Sequence, residues 1–435
     1  NQGGDYHDVA TQIYEEEKAE RARASKYPGL ENYEILEKMG EGAFSVVFKA
    51  RHLISSKIVA IKVLRKFQMD HSQKQAALKE VTIMRQLKHP NIIRFIEVIE
   101  SESYYYIVQE LAVGGEIFAA IVNFTYLSED LSRHIIYQVA EAVRYLHEEV
   151  GVVHRDIKPE NLLFQPITFR PSLNPLSKLR RSDDLETKKD EGDFVPGIGG
   201  GTIGVVKLAD FGLSKQIWEH NTKTPCGTVG YTAPEIVLDK RYSKEVDMWA
   251  IGCVLYTLLC GFPPFYDERI ESLTEKVAHG NYTFLAPWWD EISDGAKNCV
   301  LKLLTVDPKK RYTINDLLGD PWLSKAKKPI AAILEQAKSE NGLSCANFAA
   351  YQNEALFSPA ALAFREAFDI SAAVHRAGEE AAFQKVNVPD VVMEECDDTD
   401  TTTISNTVRD MNNDSGFALN LGVASILERR KNKPV

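Results

Sequence analysis

The cysteine pattern needed for staples or metal is missing. Cys226, Cys253, Cys260, Cys299, Cys345 and Cys396 are scattered and form no C-x-x-C pair. That excludes a disulfide framework, argues against structural zinc and fits a reducing compartment. No apolar run reaches the roughly 18 residues that cross a bilayer, so no membrane partner is expected. Positive charge is in deficit, with 51 Lys and Arg against 62 Asp and Glu and a net charge of −11. This argues against nucleic acid as the main partner. The opening Asn1-Gln2-Gly3-Gly4-Asp5 is polar and reads as no signal peptide. Residue 1 is not Met, so a fragment or a processed chain is expected. What is present is ordinary: 435 residues, 44% apolar and 26% charged. Such a chain can bury its own core.

Patterning divides the chain. Residues 1–32 read as a polar N-terminal tail, charged from Glu15 to Arg23. Tyr33 to Tyr106 is strand-rich, with one helix-like stretch from Gln73 to Leu87. Glu116 to Leu323 is mainly helical. Within it, about 165–204 is a polar stretch of mixed charge and prolines that ends in a glycine run, and it reads as a mobile insertion. Residues 324–386 form an Ala-rich, helix-compatible segment, in which Phe357, Ala361, Phe364 and Phe368 recur at helical spacing. Residues 387–435 read as a disordered acidic tail that turns basic at its end.

Three signals carry chemistry. In Gly40-Glu41-Gly42-Ala43-Phe44-Ser45-Val46-Val47, two glycines let backbone approach a polyphosphate where a Cβ would intrude. Ser45 stands where such loops carry a third glycine, and a plain hairpin fits this motif equally well. Val59-Ala60-Ile61-Lys62 puts a lysine on an apolar strand, where it is costly without an anion. Glu80, 18 residues on, is its natural partner, and the pair suits α- and β-phosphates. A surface salt bridge is the bland alternative. The third signal is decisive. His154-Arg155-Asp156-Ile157-Lys158-Pro159-Glu160-Asn161 is followed by Asp210-Phe211-Gly212 and Ala233-Pro234-Glu235. Asp156 would orient an attacking hydroxyl and take its proton, and Lys158 would sit by the transferred phosphate. Asn161 and Asp210 would offer Mg²⁺ the oxygen ligands it prefers. His154 reads as structural.

In this order the motifs resemble a eukaryotic protein kinase catalytic domain over residues 33–323. The resemblance implies an α+β bilobal fold. The N-lobe (33–112) would be a small antiparallel sheet with one main helix, and the C-lobe (113–323) would be larger and mainly α-helical. It implies ATP and Mg²⁺ as cofactors and protein substrates as partners. Gly40, Gly42, Val47, Ala60, Lys62, Glu80 and Leu163 would contact ATP. Glu110 and Ala112 would present hinge backbone to adenine, Gln109 would be the gatekeeper, and Glu116 would reach the ribose or a substrate arginine. Asp247 would brace the catalytic loop, and Arg311 would pair with Glu235. Lys158 and Thr228 suggest serine/threonine specificity, and Glu116 with Glu160 suggests arginine shortly before the acceptor.

Gly114-Gly115-Glu116-Ile117-Phe118 and Gly261-Phe262-Pro263-Pro264-Phe265-Tyr266 are similar to the calcium/calmodulin-dependent kinase group. Asp156 and Asp210 are 54 residues apart, a long spacing for that group. The inserted stretch, with Thr222-Lys223-Thr224-Pro225-Cys226-Gly227-Thr228, is similar to the fungal calmodulin-kinase-like kinases that act below the stress-activated MAP kinase. This resemblance implies an autoinhibitory C-terminal segment and an upstream MAP kinase as partner. It also implies a cytoplasmic location with shuttling to the nucleus. Thr224, before Pro225, is a candidate phosphosite, and a turn proline is the alternative. Ser358, before Pro359, is a second candidate that also suits a helix N-cap. Ile426, Leu427, Arg429, Arg430 and Lys431 resemble a MAP-kinase docking peptide, against the alternative of a solvated basic tail. Calmodulin is a further candidate partner, although Pro329 interrupts the basic run Lys325–Ile330. A pseudokinase scaffold and a small-molecule kinase are the rival classes. The presence of Lys62, Asp156, Asn161 and Asp210 opposes the first, and the Ala233-Pro234-Glu235 segment opposes the second.

Overall fold

A computed structural model describes residues 27–41, 45–181, 183, 188–212, 214–216, 229–238, 240, 242–267 and 269–326. The chain divides into two units, 1–355 and 356–435, and the second lies wholly outside the described residues.

Alternation of side chains builds the first lobe. Strands β1 (Tyr33–Glu41), β2 (Ser45–His52), β3 (Ile58–Arg65), β4 (Phe95–Glu100) and β5 (Tyr104–Glu110) form one antiparallel sheet, in the order β1-β2-β3-β5-β4. Val59, Ile61 and Val63 of β3 enter a core with Val46, Phe48, Ala50, Tyr106 and Val108. The period of two then turns Ala60 and Lys62 to the opposite face. Cross-strand pairing puts Val47 opposite both Gly40 and Lys62, and Ala60 opposite Gln109. Helix α1 (His71–Gln86) starts two residues before the stretch read from the sequence. The reason is a reciprocal cap. Asp70 accepts the Gln73 N–H at 2.8 Å, and the Gln73 side chain accepts the Asp70 N–H at 2.9 Å.

The second lobe is helical: α2 (Ile117–Phe124), α3 (Glu129–Arg144), α4 (Pro234–Val237), α5 (Glu245–Cys260), α6 (Ile270–His279), α7 (Asp294–Leu303) and α8 (Ile314–Leu318). Helix α5 is buried on all sides from Val246 to Cys260, which makes it the lobe's centre. A Cβ at Gly252 would lie 2.8 Å from Leu303, so this glycine lets α7 approach closely. A π-helical turn, Tyr145–Val150, follows α3 and closes at Gly151 in the left-handed region. Short strands carry the loops that matter. β6 (Val152–Val153) pairs with β9 (Lys215–Gln216), and β7 (Leu162–Pro166) pairs with β8 (Ile203–Leu208). The expected sheet lobe and helical lobe are both present.

The inserted stretch departs from its composition. Several of its described side chains are anchored on the helical lobe, while Phe169, Leu173 and Leu176 stay exposed. Tyr126, just before α3, lies under two insertion cations. The Arg180 guanidinium is 3.7 Å and the Lys188 ammonium 3.4 Å from its ring centroid. The Tyr126 hydroxyl donates to Asp183. Arg180 also donates to the Leu259 carbonyl at the end of α5, at 2.6 Å. Glu191 accepts the Ser128 N–H at 2.7 Å at the head of α3. Lys178 pairs with Asp193 at 2.6 Å. The glycine run is a tight turn: Gly199 has φ +135, and a Cβ there would stand 2.0 Å from the Ile203 carbonyl oxygen.

Candidate active site

Position along three elements brings distant residues together. Lys62 leaves the cleft face of β3, and its ammonium meets Glu80 of α1 at 2.9 Å and Asp210 at 3.5 Å. Burial opposes the ammonium charge, yet Asp210 and Glu80 outweigh it and hold Lys62 above its ordinary value. Burial pushes the Glu80 carboxyl up against the pull of Lys62. Asp210 is driven the other way, down to about 2, chiefly by the Lys62 charge, with burial opposing and the Gly212 N–H, His154 and Lys158 assisting. Asp210 has φ +61, a left-handed conformation that an aspartate tolerates better than most residues.

The loop between β6 and β7 supplies the second group. Lys158 lies 3.0 Å from Asp156 Oδ2. Burial opposes the Lys158 charge, and Asp156 and Glu160 outweigh it and raise its pKa. The Asn161 side-chain amide donates to the Asp156 carbonyl at 2.8 Å and to its carboxylate at 2.9 Å. Those two bonds orient the amide and leave its oxygen as the acceptor not used by Asp156. Asp247 organises the loop from below. Fully buried at the start of α5, it accepts the N–H groups of His154 at 2.9 Å and Arg155 at 2.8 Å. His147, on the π-helical turn, meets its carboxylate at 2.7 Å. Arg155 has φ +72, and Asp247 holds that strained residue in place. His154 is fully buried and structural, as read from the sequence. Its Nε2 lies 3.1 Å from the Ala209 carbonyl, and its ring sits edge-on to Phe211.

The apolar part of the cleft closes the far end. Ile93, Ala112 and Ala209 form one cluster, and Leu163 packs against it. Glu110 ends β5 beside them, and the Gln109 amide lies 3.7 Å from Met84 Sδ on α1. Glu116 is exposed at the head of α2, and its backbone bridges to Leu163. Gly40 faces open space where a Cβ would go. Arg311 and Glu235 are buried and bidentate, at 2.7 and 2.9 Å. Gly42, Thr224, Thr228, Ser358, Ile426, Leu427, Arg429, Arg430 and Lys431 lie outside the described residues.

Residues 33–323, about two thirds of the chain, match the family described as Protein kinase domain. The chain belongs to the protein kinase family. Its kinase domain is of the serine/threonine, calmodulin-kinase-like fungal type. The "Serine/threonine-protein kinase srk1" of Schizosaccharomyces pombe is 53% identical over 389 residues, 86% of this kinase and 66% of its own length. The "Serine/threonine-protein kinase RCK2" of Saccharomyces cerevisiae is 50% identical over 439 residues, covering 92% and 70%. The "Calcium/calmodulin-dependent protein kinase type II" of Schizosaccharomyces pombe is 55% identical over 310 residues, covering 71% and 60%. This kinase therefore spans about two thirds of the length of these relatives. A protein kinase domain uses ATP and a divalent metal.

The donor set suits a hard cation. Asp210 and Asn161 offer it oxygens. Among the described residues no group of three or more His, Cys, Asp or Glu is placed to hold a metal ion. Phosphate and water oxygens would complete the shell. Three supports escaped the sequence reading: His147 behind Asp247, Tyr126 under the insertion, and Lys207 beside Glu110. Each joins residues that no local pattern links.

Proposed function

We propose that this kinase transfers the γ-phosphoryl group of Mg²⁺-ATP to serine or threonine in arginine-containing proteins. The supporting observation is the convergence of Lys62, Glu80 and Asp210 beside Asp156, Lys158 and Asn161. In this reading Lys62 holds the α- and β-phosphates, and Glu80 fixes Lys62. Asp156 takes up the acceptor hydroxyl and its proton, and Lys158 faces the moving phosphoryl. Asn161 and Asp210 hold the ion, which when bound neutralises phosphate charge. Leu163, Ala112, Ala60 and Val47 enclose the adenine. Glu160 is half-buried and its Oε2 has no hydrogen-bond partner, which suits a substrate guanidinium.

Control of the enzyme belongs to the same proposal. The C-terminal segment is autoinhibitory, and a stress-responsive MAP kinase relieves that inhibition through Thr224 and Ser358 after docking at 426–431. The setting is cytoplasmic, with shuttling to the nucleus. Likeness to a relative named as calcium/calmodulin-dependent supports a second reading, activation by calmodulin. The test is transfer from radiolabelled ATP to a library of basic peptides. It is run alone, with Ca²⁺–calmodulin, and after treatment with a stress MAP kinase. Wild type should label arginine-containing peptides and Asp156→Asn should lose most of that activity. Equal labelling by Asp156→Asn would overturn the enzyme reading. Stimulation by calmodulin alone would overturn the regulatory one.

A further inference from the structure

Lys207 lies on β8, three residues before Asp210, and only 7% of its surface is exposed. A lysine so buried needs strong partners. Its ammonium is 2.7 Å from Glu110 Oε1 and donates to the Pro90 carbonyl at 2.9 Å. The same Glu110 oxygen accepts the Arg94 N–H at 2.9 Å, and the Glu110 N–H donates to the Arg94 carbonyl at 3.0 Å. The segment before Arg94 is knitted to β8. Leu208 N–H donates to the Asn91 carbonyl at 2.8 Å, Ile93 N–H donates to the Leu208 carbonyl at 2.9 Å, and the Asn91 amide donates to the Val206 carbonyl at 2.9 Å. Pro90–Arg94 and β8 thus form one hydrogen-bonded unit, and Glu110 is fastened to it by side chain and backbone.

Glu110 stands at the adenine end of the cleft and Asp210 at the phosphate end. One short run of β8, with the Lys207 side chain, connects them. We propose that Lys207 is a positioning residue for ATP, a strut that sets the spacing between the hinge and Asp210. This rests on the ATP reading of the cleft. Lys207 does not touch the acceptor side, where Asp156, Lys158 and Glu160 lie, so its loss should fall on nucleotide and spare peptide. Preorganisation explains the size of the effect, because a site displaced by a fraction of an ångström binds its ligand poorly.

The experiment uses the full chain, with ATP and a phosphorylatable basic peptide varied in turn. Lys207→Met removes the strut and leaves the Glu110 carboxylate short of a counter-ion. Lys207→Met/Glu110→Gln removes that orphaned charge as well. The KM for ATP should rise about tenfold in both variants, the scale of one lost charged hydrogen bond. The KM for peptide should stay within about twofold, and the double variant should recover melting temperature relative to the single. An unchanged KM for ATP with a lowered melting temperature would mean that Lys207 is merely structural, and would overturn the strut. Recovery of the KM in the double variant would overturn it too, because the stranded charge would then be the cause. Wild type is the control for the reading beneath: absence of saturable ATP dependence in wild type defeats the ATP site itself, whereas a wild-type KM shared by both variants defeats the strut alone.

Discussion

Asp247 shows how much one side chain can carry. It accepts two backbone N–H groups of the catalytic loop and meets His147, all without solvent. In Asp247→Asn, an NH₂ would face at least one of those N–H donors. Leaving buried donors unmet costs about 2–3 kcal/mol, so the variant should lose that much in urea unfolding. Its kcat should also fall, because Arg155 and Asp156 would drift; an unaltered kcat would refute the bracing role. The Asp210 carboxyl gives a pH test. Its folded value, about 2, lies below the ordinary 3.8 because Lys62 holds the charge. A depressed folded value stabilises the protein above the unfolded pKa, and that contribution fades as pH falls from about 4 toward 2. The acid limb of unfolding should therefore be shallower in Lys62→Met than in wild type across that window. Parallel limbs would contradict the pairing. Lys62, Asp156, Asn161 and Asp210 were legible in the sequence because chemistry confines each to a short motif. Lys207 was not, because its partner Glu110 lies far away in the chain and no motif ties the two.

At the scale of elements, periodicity spoke clearly for β3 and α1, while composition did not show the anchors within residues 165–204. Composition there counts charges without partners, so mixed signs and glycines read as looseness. In the fold those charges find Tyr126, Ser128, Leu259 and one another, and Gly197, Gly199 and Gly201 take positive φ angles that favour glycine. The Lys188 ammonium tests this packing. Burial pushes its pKa down to about 8, with Asp183 and Glu191 opposing. The unfolded chain keeps that proton up to about 10.5, so stability should rise with pH between roughly 8 and 10.5. Urea midpoints at pH 7.5 and 9.5 should show the rise in wild type and a smaller one in Lys188→Met. An identical pH response in the two proteins would mean that the insertion leaves Lys188 in water.

For the whole catalytic domain the decisive fact is that its cleft draws on both lobes. Lys62 and Glu80 belong to the sheet lobe, Asn161 and Asp210 to the helical one, and the hinge joins them. A ligand held from both sides stabilises the folded domain by about 2.7 kcal/mol at a hundredfold excess over its Kd. Melting curves with a non-hydrolysable ATP analogue should register this as a clear upward shift in wild type. Lys62→Met removes the contact from one lobe and Asp210→Asn from the other, so each variant should lose most of the shift. The ion adds a sharper demand. Asn161 and Asp210 offer oxygens to a cation and repel bare phosphate, so nucleotide without Mg²⁺ should shift the melting curve far less than nucleotide with it. Asp210→Asn should shrink that gap, because one of the two ion ligands loses its charge. If Mg²⁺ makes no difference in wild type, the two oxygens do not hold the ion, and the phosphates must then rest on Lys62 and backbone alone.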